Sequence, residues 1–257
     1  MSASQNRQPN WLLSDRSTAR DGLAVISQDV DLLSSQRAYA DVGRCRLDHF
    51  LVPDIAERLY GVLSDETEFD VAYACSPSPK LVSARSWRQM DAPGRRSIEG
   101  QLMSQAAEGR GFLYCTYMER NKIGASTQSP EFLDEVFSFW AGPEMRRLVT
   151  DVTGLEVDGA ECQFTRFTTG QYLTRHRDTL MGNRRRLAFV LSLSRAWHPD
   201  WGGLLHFYED AGDVSEVWIP RFNTLQLFDI RQIHGVSAVA PCAPRGRFSL
   251  TGWFTVG

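Results

Sequence analysis

Two hydrophobic rhythms divide the 257-residue chain. In its first part apolar residues recur at helical spacing. Pro53 opens PDIAERLYGVL, where Ile55, Leu59 and Leu63 share one face of a predicted helix. Ile98, Leu102 and Met103 mark another amphipathic helix. Ser129 as N-cap and Pro130 at the first helical position start SPEFLDEVFSFWAG, whose Phe137, Phe139 and Trp140 read as core. Gly142-Pro143 breaks that helix and starts PEMRRLVTDVTG, closed by Gly154. RCRLDHFL (44–51) alternates like a strand, whereas 75–97, with Pro77, Pro79, Pro93 and Gly94, reads as loop.

From residue 155 the period drops to two. ECQFTRF, RLAFVLSL, GLLHFYE, SEVWIP, NTLQLFD, HGVSAV and RFSLTGWF follow one another, punctuated by Gly170, Gly182-Asn183, Gly202-Gly203 and Pro220. Many short strands without intervening helices predict a barrel or jelly roll. The expected organisation is a tail or extension over 1–40, where Trp11, Leu12 and Leu13 could dock, and a single domain over 41–257. That domain has a helical layer (53–154) and a β core (155–257).

Composition narrows the function classes. A formal net charge of −3 offers no basic field for nucleic acid. No apolar run approaches the roughly 20 residues that span a bilayer, and the first residues do not read as a signal peptide. The five cysteines (Cys45, Cys75, Cys115, Cys162, Cys242) are scattered, without CxxC, against both a disulfide framework and a cysteine zinc site. A reducing cytoplasm is the expected compartment, with neither nucleic acid nor membrane as partner.

The candidate chemistry begins in GQYLTRHRDTL (170–180). On an extended segment residues i and i+2 point the same way, so His176 and Asp178 can offer a nitrogen and a carboxylate oxygen to one ion. Alone, this spacing fits an ordinary polar strand end about as well. His234, in FDIRQIHGVSAV, supplies a third group that a β fold can bring back, and two histidines with one carboxylate make the facial triad of non-haem Fe(II) oxygenases. In RGRFSLTGWF, Arg247, Ser249, Thr251 and Trp253 share one strand face, opposite Phe248, Leu250 and Phe254. A buried arginine is costly without a partner, and a dicarboxylate cosubstrate would supply one, with its other end on the metal. Arg245 is the alternative clamp. His206 reads as a strand residue, His198 as a solvated loop residue, and Trp197, Gly202 and Gly203 as turn formers. The triplet Arg184, Arg185 and Arg186 reads as a loop between strands, solvated or holding an acidic or polypeptide substrate.

Together GQYLTRHRD, LSLSRAWHPDWGGLLHFYE, FNTLQLFD, IHGV and RGRFSLTGW, in this order over about 160–255, resemble the 2-oxoglutarate- and Fe(II)-dependent dioxygenases of the prolyl 4-hydroxylase type. The resemblance implies a double-stranded β-helix (jelly roll) core with flanking helices. It implies His176, Asp178 and His234 as iron ligands, and Arg247 on the far carboxylate of 2-oxoglutarate. It further implies Tyr172, Thr251 and Trp253 beside the cosubstrate, and Arg184–Arg186 at the substrate entrance. O2 is then the co-reactant, ascorbate a reductant, and a polypeptide residue the substrate, with a free amino acid or small metabolite as the alternative. The sequence departs from that family at LSLS, where Ser192 stands for a tyrosine. Rival readings are a non-catalytic metal- or ligand-sensing β-helix domain and a zinc hydrolase with the same ligands, which would leave Arg247 without a role.

Overall fold

The computed structural model describes residues 25–75, 78–118, 130–179 and 184–257. Trp11, Leu12, Leu13, Ser129 and Gly182-Asn183 lie outside them. Among the described residues, helices α1 (Leu32–Val42), α2 (Pro53–Gly61), α3 (Ala84–Gln89), α4 (Ala92–Ala107), α5 (Glu131–Trp140) and α6 (Pro143–Thr153) accompany twelve strands. The strands are β1 (Arg44–Leu47), β2 (Asp70–Cys75), β3 (Ser78–Val82), β4 (Phe112–Tyr117), β5 (Gly159–Phe167), β6 (Tyr172–His176), β7 (Arg185–Ser192), β8 (Leu205–Tyr208), β9 (Val214–Trp218), β10 (Thr224–Asp229), β11 (Ile233–Val236) and β12 (Arg247–Thr255).

The strands form one curled sheet in the order β1-β10-β7-β12-β5-β4-β6-β11-β8-β9, with β2 and β3 added at β4. Every pairing is antiparallel. β4 joins β5 on one side to β6 on the other, so it carries the ribbon from one wall to the facing one. This is the mainly β jelly roll with flanking helices that the strand pattern predicts.

Period-two alternation sorts the side chains. Leu187, Phe189 and Leu191 of β7, Leu225 and Leu227 of β10, and Phe248, Leu250 and Phe254 of β12 face the helices. There they pack with Leu59, Leu63, Leu133, Phe137, Trp140, Met145 and Val149. Each fully buried side chain of this kind stabilises the fold by about 1.5–3 kcal/mol. Ala188, Val190, Phe228 and Phe167 turn inward, meeting Leu205, Phe207 and Val236 of the facing wall.

Three expectations need correction. The stretch 75–97 is not loop: it holds β3, α3 and the start of α4, where Pro93 sits in the first turn and Asp91 caps by accepting from the Gly94 amide. Proline there forfeits no helical hydrogen bond, so it signals a start as readily as a break. The helical layer 53–154 also contributes β2, β3 and β4 to the sheet. Finally α1, capped by Asp31 and ended by Gly43 in the left-handed conformation, begins inside the segment expected to be a tail.

Candidate active site

β6 and β11 pair with His176 directly opposite His234, which holds the two rings 4.3 Å apart. Asp178 follows just past the end of β6, where its amide donates to the Ile230 carbonyl (3.1 Å). Its carboxylate reaches both rings: Oδ1 lies 3.4 Å from His176 Nε2 and Oδ2 lies 3.5 Å from His234 Nε2. One ligand atom from each residue lies within 4.8 Å of the others. His176 Nδ1 lies 3.0 Å from the Thr174 carbonyl and His234 Nδ1 3.1 Å from the Gln232 carbonyl. A carbonyl only accepts, so each Nδ1 carries a hydrogen and each Nε2 is the ring atom left to face the shared point. Gly235 permits the close strand approach, since a Cβ there would lie 2.8 Å from the Leu173 carbonyl.

The charges are arranged for a cation. Burial drives the His234 imidazole down to about 4, and neighbouring His176 acts the same way, so it stays neutral. Burial raises the Asp178 carboxyl, but the His176 hydrogen bond and the electrostatic influence of the two imidazoles outweigh it, leaving its pKa below the ordinary value. For His176, burial works downward and the bond to Asp178 upward, and the balance lies above the ordinary value. The donor set therefore fits a divalent metal: a carboxylate held ionised and two imidazoles with their Nε2 atoms turned to it.

The three residues line a cavity of about 990 Å³ between the walls of the jelly roll. Arg247, at the start of β12, lines it too. Arg247 is 2% exposed, its Nε has no hydrogen-bond partner, and NH1 makes a long contact with Ser249 Oγ (3.4 Å). No carboxylate pairs with it among the described residues, and burial lowers its pKa to about 10. The left-handed Gly203 leaves room for its stem, since a Cβ there would lie 3.2 Å from Arg247 Cδ. A fully buried guanidinium without an anion is costly, so the cavity suits a ligand that brings one.

Thr251 and Trp253 line the same cavity on the alternation predicted for β12. The Trp253 indole nitrogen lowers the Asp178 pKa without reaching an ordinary hydrogen bond. Tyr172 is a correction: it is not among the lining residues, and its hydroxyl donates to the Leu102 carbonyl of α4 (3.1 Å). Between β6 and β11 the register slips, with His176 opposite His234 but Leu173 opposite Val236. The extra residue on β6 breaks the alternation and turns Tyr172 outward.

The arginine triplet is a second correction. It is not a single loop, because Arg185 and Arg186 begin β7. Phe254 faces Leu187 while Thr255 faces Arg185, a bulge that puts Arg185 on the cavity face. Arg185 stacks on Trp253 with its Cζ 3.4 Å from the ring centroid and pairs with Glu161 (2.8 Å) at the cavity wall. Arg184 instead ties Asp158 (2.7 Å) and the Val256 carbonyl outside the cavity, and Arg186 is exposed. Arg245 is exposed, with its Cζ 5.9 Å from the Trp201 ring. His206 lies on β8 opposite Gly235, and His198 is exposed in its turn.

The sequence reading missed Tyr114, Glu161 and Gln163, which also line the cavity. Tyr114 stacks on Phe167 (5.3 Å), and burial raises its phenol pKa. Gln163 accepts from Thr116 Oγ1 (2.8 Å). Glu161 and Gln163 share the parity of Thr165 and Phe167 on β5, and that alternation was the available signal.

Comparison with known proteins agrees with this geometry. Residues 162–255 match the 2OG-Fe(II) oxygenase superfamily. Prolyl 3-hydroxylase OGFOD1 of Mus musculus is 31% identical over 121 residues, which cover 43% of this chain and 21% of that protein. The chain thus spans about a fifth of this relative's length. The crystal structure of a Pseudomonas putida prolyl-4-hydroxylase is similar in fold, with a TM-score of 0.55 and 22% identity over 88% of this chain and 100% of that one. So is a Trichoplax adhaerens prolyl hydroxylase in complex with a hypoxia inducible factor oxygen degradation domain peptide fragment, at TM-score 0.54 and 17% identity over 87% of this chain and 91% of that one. Residues 162–255 thus match the 2OG-Fe(II) oxygenase superfamily by sequence, and over most of its length the chain shares the fold of the solved prolyl hydroxylases.

Proposed function

We propose that the chain is a 2-oxoglutarate-dependent dioxygenase that hydroxylates a residue of a polypeptide, prolyl in type. The observation that carries this reading is one cavity holding both the His176–Asp178–His234 cluster and an unpaired, fully buried Arg247. A zinc hydrolase or a metal sensor would use the first feature and leave the second unexplained.

His176, Asp178 and His234 would hold Fe(II). Arg247 would receive the far carboxylate of 2-oxoglutarate, whose planar fork-to-carboxylate fit a lysine cannot match. Bound together, iron and 2-oxoglutarate supply the oxidising chemistry that places an oxygen atom from O2 on a substrate C–H bond. The protein's own part is placement and shielding. The Thr174 and Gln232 carbonyls fix the imidazole tautomers, and Ala188, Val190, Leu205 and Val236 give the cavity dry walls. Arg185 and Glu161 stand at the cavity wall where a substrate chain would pass.

A polypeptide substrate is favoured by the relatives, one a prolyl 3-hydroxylase and one solved with a peptide fragment. Ascorbate is the expected supporting reductant. No helix among the described residues is long and apolar enough to cross a membrane. Cys45, Cys115, Cys162 and Cys242 are free thiols, as suits the reducing cytoplasm we infer. The test is to incubate iron-loaded protein with 2-oxoglutarate, O2 and peptides or metabolites from a cell extract. A +16 mass shift on a peptide, with matching succinate release, is expected. A shift confined to small metabolites would replace the polypeptide with the alternative substrate class.

A further inference from the structure

One short turn steadies two of the clustered side chains. Ile230, Arg231 and Gln232 link β10 to β11. The Ile230 carbonyl accepts from the Asp178 amide (3.1 Å), and the Gln232 carbonyl lies 3.1 Å from His234 Nδ1. Whatever places this turn therefore places Asp178 and His234. Its own hydrogen bonds are local. The Gln232 amide donates to the Asp229 carbonyl (3.0 Å), and the Asp229 carboxylate accepts from the Arg231 amide (2.8 Å). These bonds set the shape of the turn and leave its position between the two walls to other contacts.

The other contacts come from the junction of α1 and β1, far away in sequence. The Gly43 carbonyl accepts from the Asp229 amide (2.9 Å) and the Val42 carbonyl from Gln232 Nε2 (2.7 Å). Arg44 NH1 donates to Gln232 Oε1 (2.9 Å), so both ends of the Gln232 amide group are spent on this junction. Arg44 is itself held on a second side, where its Nε pairs with Glu216 of β9 (2.6 Å). β1 and β9 are the two ends of the curled sheet, and Arg44 spans the seam between them.

A second, apolar route runs from the same side chain to the same ligand. Arg44 Cζ lies 4.7 Å from the Phe207 ring centroid. Phe207 meets Phe228 edge to face (5.3 Å), and Phe228 meets the His234 ring in the same way (4.7 Å). The position of His234 is thus tied to Arg44 through Gln232 on one side and through two phenylalanines on the other. We propose that Arg44 and Gln232 are positioning residues for the metal centre: they hold the turn so that Asp178 and His234 present their ligand atoms at one point. This rests on the metal site proposed above, and it gives the α1–β1 junction a part in that site.

The test is titration of the full-length, metal-free protein with Co(II) alone, whose visible spectrum reports ligand geometry. Arg44→Met and Gln232→Leu keep most of the bulk and remove the polar ends. Losing a direct outer partner of a metal ligand costs roughly 10–100-fold in metal affinity, so a fall of about threefold to tenfold is expected one bond farther out. The Co(II) band should change in position or intensity as well. Arg46→Met is the control. Arg46 lies on the same strand, is exposed, and sets its Cζ 5.3 Å from the Trp218 ring without a hydrogen bond to the turn. That variant should keep the parental affinity and spectrum even where it melts at a lower temperature. Parental affinity and spectrum in folded Arg44→Met, which is changed at a partly exposed position and decides alone if Gln232→Leu does not fold, would overturn the inference. An equal loss of affinity in Arg46→Met would overturn it too, by assigning the effect to general loosening of the seam. A parent protein that binds no Co(II) would instead remove the proposed metal site, and this inference with it.

Discussion

The two faces of β7, β10 and β12 are made by the same strands and serve opposite ends. Outward, Leu187, Phe189, Leu191, Leu225, Leu227, Phe248, Leu250 and Phe254 fit against the helices with no polar atom to satisfy. Inward, Arg247 is as deeply buried, yet its guanidinium Nε has no partner among the described residues. Burial thus stabilises the fold on one side, and on the other costs stability that only a ligand restores. The difference separates, residue by residue, changes that should unfold the protein from changes that should disarm it.

The largest effect is expected on the outward face. Leu250, fully buried between β5 and β7, should cost about 2–5 kcal/mol of stability as Leu250→Ala. Chemical denaturation measures this, and the surviving folded fraction should bind metal as the parent does. A loss below about 1 kcal/mol would mean that this face is not the stabilising one.

Next comes Arg247→Lys, which keeps the charge and loses the planar fork. A charge-assisted hydrogen bond contributes roughly 1.5–3 kcal/mol, so 2-oxoglutarate affinity should fall about tenfold to a hundredfold. Metal affinity without the cosubstrate should hold, and stability should change little. Comparable damage from Arg245→Lys, with none from Arg247→Lys, would move the clamp to the neighbouring arginine.

The smallest effect divides the arginine triplet. Arg185→Ser should slow turnover of a polypeptide substrate a few-fold while sparing uncoupled 2-oxoglutarate decarboxylation. Partly exposed ion pairs contribute about 0–1 kcal/mol. Arg186→Ser, at an exposed position, should change nothing measurable. Any loss at Arg185 should shrink as ionic strength rises past about 0.15 M, where the screening length is about 8 Å. Equal effects at both positions would contradict the inward turn made by the β7 bulge.

Much of the site is legible in sequence because strand period is a local property. His176-x-Asp178 share a side by spacing alone, and Arg247 stands out as a charge on a face with Thr251 and Trp253. Where alternation breaks, legibility ends. The bulges that turn Tyr172 out and Arg185 in are register slips between strands distant in sequence, at β6–β11 and β7–β12. No local pattern announces them. Arg44 was hidden for a related reason: within RCRLDHFL it reads as the polar half of an ordinary alternation, and only the pairing of β1 with β10 sets it beside the turn before β11. Among the helices, Pro93 and Gly94 misled because the same residues that break helices also open them.

The central claim is that His176, Asp178 and His234 hold an iron that chelates 2-oxoglutarate in the cavity closed by Arg247. Its most direct test is the visible absorption spectrum after anaerobic addition of Fe(II) and 2-oxoglutarate. The parent should develop the weak charge-transfer band of a chelated 2-oxo acid, and Asp178→Ala, which removes the only anionic member of the cluster, should show none. A band of parental intensity in folded Asp178→Ala, or its absence from the parent at saturating iron and 2-oxoglutarate, would contradict the account.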